Sequence, residues 1–198
     1  MPKPRPSHLA IAGLAVAAAL LAGAGAVLWD GSTGPAPPGI GGPFTLAGPD
    51  GKPVTDRDFR GRYMLVYFGY TTCPDVCPTT LSEMASAMDK LGPQAARVQP
   101  LFITVDPARD TPDVVRQYTA AFSPRLEGLT GTPEQIKAVA QQYRVYYARH
   151  DTGPGPNDYS MDHSSVLYLM GPDGAFVAPL RADEDGGAMA ADIAKHVS

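Results

Sequence analysis

Three apolar runs punctuate the chain between residues 63 and 170: YMLVYFG (Tyr63–Gly69), VQPLFITV (Val98–Val105) and SSVLYLM (Ser164–Met170). Such nearly unbroken runs mark strands covered on both faces. A fourth run, AFVAPL (Ala175–Leu180), follows the third after GPDG (Gly171–Gly174). That tetrapeptide is turn chemistry, so the pair reads as a hairpin. GPDG also occurs at Gly48–Gly51 and predicts an N-terminal hairpin there.

The pattern switches to a helical period between these runs. TTLSEMASAMDKLG (Thr79–Gly92) places Leu81, Met84, Met88 and Leu91 on one face and stops at Gly92. TPDVVRQYTAAF and TPEQIKAVAQQYR each open with Thr as N-cap, at Thr111 and Thr132, followed by Pro at the first helical position. GGAMAADIAKHV predicts a terminal helix. The order is hairpin, β, α, β, α, short β, α, β, hairpin partner, α. Parallel crossovers with an antiparallel edge imply an α/β fold with a mixed central sheet flanked by helices. Tyr146–Ser164 is a long polar stretch with a Pro/Gly-rich hairpin around Gly153–Pro156, a hairpin insertion of a length that is usually functional or mobile.

The N-terminus follows a different pattern. Leu9–Leu28 is 20 residues without a charge, preceded by Lys3 and Arg5. As a helix it would span roughly 30 Å, a bilayer core. Residues 1–30 therefore read as a transmembrane anchor or, given AGA at Ala24–Ala26, as a cleaved export signal. Both readings place the remainder outside the cytoplasm, membrane-attached in the first case and facing the periplasm or an equivalent space. Residues 31–43 are dominated by Gly and Pro and read as a tether. Residues 44–198 form the folded domain.

Composition narrows the function. The net charge is -4, and this acidic balance argues against a general nucleic-acid binder. At 44% hydrophobic residues, the chain can pack a core without a covalent staple. Its two cysteines, Cys73 and Cys77, stand four apart in FGYTTCPDVCPTTL, each followed by proline, just after the first buried strand. Strand ends are where α/β sheets place chemistry. With Pro78 in the favoured first helical position, Cys73–Cys77 forms a turn capping the helix, and the helix dipole lowers the pKa of both thiols. A structural disulfide fits the spacing but closes too short a loop to add much stability. A redox pair or a soft-metal site is the stronger reading. Cu(I) accepts thiolate and imidazole in three-coordination, whereas zinc prefers a fourth ligand that the sequence does not supply.

A third ligand must come from elsewhere. Of four histidines, His8 and His196 lie near the termini. His150 and His163 both read as ordinary loop residues, since spacing alone brings neither to the sulfurs. Met161 is a soft thioether, read more simply as packing.

Taken together, YFGYTTCPDVCPTTL, FITVDPARDTPDVVRQY and DHSSVLYLMGPDG resemble the SCO/SenC family, copper proteins of cytochrome c oxidase assembly. The resemblance spans roughly residues 44–197 and implies a thioredoxin-like fold. It implies copper, as Cu(I) with Cu(II) as the second oxidation state, held by Cys73, Cys77 and His163. It also sets Asp106 of VDPARD near the site, and Asp162 is positioned to accept the other ring proton of His163 or to face water. The implied function is a metallochaperone delivering Cu(I) to the CuA centre of oxidase subunit II, with another copper chaperone as donor. The alternative is an exported thiol-disulfide oxidoreductase that reduces the acceptor's cysteines through the same pair. A peroxidase of the related peroxiredoxin fold fits poorly, because Tyr70 stands where a Thr-x-x-Cys pattern needs threonine.

Overall fold

The computed structural model describes residues 39–197. The anchor or signal over residues 1–30 and most of the tether lie outside the described residues. Within them, no helix is long and apolar enough to cross a membrane.

The N-terminal hairpin forms as expected, from β1 (Thr45–Ala47) and β2 (Pro53–Thr55). Its GPDG turn closes through the Gly51 N–H donating to the Gly48 carbonyl, with Gly51 at φ 76°. The second GPDG turn repeats this bond from Gly174 to Gly171, with φ 75°. Only glycine takes this left-handed geometry without strain. A short 3-10 turn (Asp56–Phe59) leads to β3 (Tyr63–Gly69), α1 (Val76–Leu91), a second 3-10 turn (Gly92–Arg97) and β4 (Val98–Thr104). Then come α2 (Pro112–Ala120), β5 (Glu127–Leu129), α3 (Pro133–Gln142), β6 (Tyr147–Asp151), β7 (Tyr159–His163), β8 (Val166–Met170), β9 (Phe176–Arg181) and α4 (Gly186–Ala194).

The central sheet has the order β5-β4-β3-β8-β9. β3, β4 and β5 run parallel; β8 and β9 are antiparallel additions. The three apolar runs occupy its middle, where Leu65, Val66, Tyr67, Leu101, Phe102, Leu167 and Leu169 are all buried. The two threonine caps form as read: Thr111 and Thr132 accept from the backbone N–H groups of Val114 and Gln135. α1 packs along α4, and α2 against β5.

One expectation needs correction. α1 begins at Val76, with Asp75 as N-cap, two residues before Pro78. Pro78 is thus third in the helix, where its missing N–H has no intrahelical partner to lose. The rule that favours proline in the first position does not exclude it from the rest of the first turn. The hairpin insertion expected around Gly153–Pro156 forms as a separate two-stranded sheet, β6 with β7, in the register Tyr147↔His163 to Asp151↔Tyr159.

Candidate metal centre

The direction of β8 resolves the position of His163. β8 runs antiparallel to β3, with Tyr67 opposite Leu167, so the start of β8 lies beside the end of β3. Three residues upstream of β8, His163 ends β7 and meets the turn that leaves β3. The donor atoms of Cys73, Cys77 and His163 all lie within 4.8 Å of one another. His163 Nε2 is 3.4 Å from Cys77 Sγ. Both cysteines are free thiols.

Each donor is held by a different device. Cys73 is half-buried in the turn, and the backbone N–H of Cys77, in the first turn of α1, donates to its sulfur at 3.4 Å. The helix N-terminus therefore aims at Cys73, as sequence reasoning expected of the turn. Cys77 is fully buried beneath it. Its Sγ lies 3.9 Å from the Tyr67 hydroxyl, and a Cβ added to Gly69 would come within 2.7 Å of it. His163 lies edge-on to Tyr67 and Tyr70, with ring centroids 6.0 and 5.9 Å away.

The protonation states follow from these surroundings. Burial pushes the Cys77 thiol up to about 12, contrary to the expectation that the helix dipole would lower both thiols. Desolvation of the thiolate outweighs the dipole at the deeper sulfur. Burial also lowers the pKa of His163. Both shifts act in one direction: in the metal-free state the proton stays on Cys77 and the imidazole is neutral, so the two do not form a thiolate–imidazolium pair. The His163 Nδ1 lies 3.2 Å from the Ser164 carbonyl, which can only accept, so Nδ1 carries the ring proton. Nε2 is left with its lone pair toward the sulfurs, which is the form a metal ligand requires.

The remaining candidates are not ligands in this arrangement. Asp162 does not take the Nδ1 proton of His163. It is exposed and pairs with His150 Nε2 at 2.8 Å, because alternation along β7 points adjacent residues to opposite faces. Met161 is buried in the core, in keeping with its packing reading. Asp106 is 3% exposed and its carboxylate is engaged by other groups: it accepts from Arg109 Nε at 2.5 Å and from the Tyr159 hydroxyl at 2.8 Å.

Asp110, Arg109 and Tyr159 were not singled out from sequence. Buried Asp110 accepts from the Thr71 N–H at 3.0 Å, the Thr71 hydroxyl at 2.6 Å and the Thr104 hydroxyl at 2.5 Å, tying the cysteine turn to the end of β4. The visible signal was VDPARD itself, which carries two acids and an arginine beside a buried strand. The site opens as a cavity of about 470 Å³ whose lining includes Tyr70, Cys73, Val76, Tyr146 and His163. Val76 and Tyr146 at its mouth are 44% and 63% exposed, so solvent and a partner molecule can reach Cys73.

The family model described as SCO1/SenC matches residues 32–198. The human mitochondrial SCO1 homolog is 43% identical over 166 residues, 81% of this chain and 54% of its own length. SenC of Rhodobacter capsulatus is 50% identical over 140 residues, 71% of this chain and 62% of its own. The chain spans about half the length of the first curated relatives it matches. The crystal structure of Arabidopsis thaliana ScoI with copper bound superposes at a TM-score of 0.73 with 44% identity, covering 79% of this chain and 96% of that one. The thioredoxin-like fold expected from the motifs is the one present. By its matched family model, its sequence identity over most of the described residues and its fold, this chain is a member of the SCO1/SenC family.

Proposed function

We propose that this protein carries Cu(I) on Cys73, Cys77 and His163 and delivers it to the CuA centre of cytochrome c oxidase subunit II. The observation that carries the reading is the convergence of two thiols from one turn and one bare imidazole nitrogen from a segment 86 residues away. The donor chemistry fits: soft sulfur with one imidazole suits Cu(I), and a neutral, buried histidine needs no deprotonation to bind. With metal–donor bonds of about 2.0–2.3 Å for a d10 ion, ligands of a trigonal site stand roughly 3.5–4 Å apart, close to the spacing present. Membership of a family whose solved members include copper-bound structures supports the same choice. In the transfer itself, half-buried Cys73 is the more accessible donor and Cys77 the buried one. An incoming ligand meets Cys73 first, through the cavity mouth, while Cys77 and His163 hold the ion from below. We place the domain outside the cytoplasm, attached through residues 1–30, and take another copper chaperone as the donor.

A second reading, reduction of the acceptor's cysteines, rests on the same asymmetry. A half-buried thiol beside a helix N-terminus with a buried thiol behind it suits attack followed by resolution. Purified chain loaded with Cu(I) under reducing conditions separates the two. Wild type should take up one equivalent, while Cys73→Ser, Cys77→Ser and His163→Ala bind it far more weakly. His163→Ala should retain disulfide exchange. Wild type that takes up no Cu(I) would refute the copper reading.

A further inference from the structure

Among the described residues, β6 and β7 pair with each other as their own two-stranded sheet, with Tyr159 and Met161 of β7 packed into the core. His163 ends β7, so its position depends on what holds this hairpin. At the far end of β7, Arg109 Nη1 donates to the Tyr159 carbonyl at 2.9 Å and to the Asn157 carbonyl at 3.4 Å. Its Nε is held by buried Asp106, which also accepts from the Tyr159 hydroxyl. The guanidinium lies over the Tyr159 ring at 3.6 Å, with Arg149 over the same ring at 3.7 Å. Arg109 also lies 5.9 Å from the ring of Tyr70, which is edge-on to His163 at the same separation.

We propose that Arg109 is the positioning residue for the His163 imidazole: anchored on Asp106, it clamps the far end of β7 and backs the Tyr70 ring against which the imidazole rests. The proposal rests on the copper reading of the site for its affinity arm only. The physical logic is that a two-stranded hairpin has little stability of its own. Its orientation is therefore set by the groups that fasten it, and Arg109 supplies a cation already neutralised and oriented by a buried carboxylate. The two cysteines lie on the turn and α1, which Asp110 and the helix itself hold, and Arg109 donates to the β7 end of the site. Loss of Arg109 should thus free the nitrogen donor and leave the sulfur pair in place.

Arg109→Gln removes the charge and the fork and leaves a shorter polar side chain. In the metal-free full chain it should raise amide exchange across Tyr159–His163 about tenfold or more while leaving exchange in β3 and α1 unchanged. The ring nitrogen shifts of His163 should move from the Nδ1–H tautomer to a mixture. Cu(I) affinity, read by competition with a chromophoric chelator, should fall about tenfold to a hundredfold, the usual range for residues that orient a metal ligand. The decisive arm is a double-mutant cycle. In a His163→Ala background, Arg109→Gln should weaken Cu(I) binding less than about twofold further. Equal weakening in both backgrounds, or unchanged exchange across β7, would overturn the proposal. Tyr159→Phe, which removes only the hydroxyl bond to Asp106, should give a smaller effect of the same kind and decides the matter should Arg109→Gln not fold. If wild type takes up no Cu(I), the function reading fails, while the exchange and tautomer arms still decide the clamp.

Discussion

Gly69, the last residue of β3, packs against the Cys77 sulfur, and replacing it with alanine tests whether this packing sets the sulfur position. An added Cβ would lie 2.7 Å from Cys77 Sγ, 2.9 Å from Phe102 Cε2 and 3.2 Å from Tyr67 Cε1, against an ordinary contact of 3.4–4 Å. Relief therefore requires a movement of roughly 1 Å at the sulfur or the Phe102 ring. Phe102 and Tyr67 are buried in the middle of the sheet and have no room to withdraw. The remaining response is rotation of Cys77 about its Cα–Cβ bond, which moves the sulfur from its present place 3.4 Å from His163 Nε2. Overpacking of this kind costs about 1–3 kcal/mol, and for a domain of this size that lowers the Tm by roughly 3–10 °C. A metal ligand displaced by about 1 Å should weaken Cu(I) binding roughly tenfold to a hundredfold, or about 1.4–2.7 kcal/mol. Thermal melts followed by circular dichroism and a Cu(I) competition titration read the two effects separately. A Gly69→Ala protein with the wild-type Tm and unchanged Cu(I) affinity would refute the argument that this contact fixes the sulfur.

Asp110→Ala leaves three donors, two from Thr71 and one from Thr104, without their acceptor. It should cost about 3–5 kcal/mol in urea denaturation, whereas Asp110→Asn, which keeps one acceptor and lets the hydroxyls rotate, should cost less than about 2. Asp162→Asn should leave Cu(I) affinity within about twofold of wild type, because Asp162 pairs with His150 while Ser164 orients the imidazole; a tenfold loss in the competition titration would contradict that assignment. Because burial holds the Cys77 proton until about pH 12, Cu(I) capture must release that proton throughout pH 6–9. Protons compete with the metal, so affinity should weaken as pH falls, with log affinity rising at a slope of at least about one per pH unit. A flat profile would show that Cys77 is already ionised.

Local chemistry decided much of this protein before any tertiary contact. The two GPDG turns, the threonine-capped helices and the apolar runs of β3, β4 and β8 all form where the residue pattern places them, since each is specified by neighbours a few positions away. The cysteine pair at the end of β3 was legible for the same reason. Where several local rules were compatible, the pattern was less decisive: Pro78 fits more than one position in a first turn, and α1 starts two residues ahead of it. The helix dipole was likewise a local argument, and burial of Cys77, which depends on what covers it, reversed the outcome. The third donor belongs to the tertiary structure alone. His163 is 86 residues from Cys77, and no periodicity connects them. The antiparallel insertion of β8 beside β3 brings the two segments together, and the Asp106–Arg109 anchor on Tyr159 fastens the hairpin that carries the imidazole. Strand direction and long-range fastening are set by how whole elements pack, so residue spacing along the chain does not contain them.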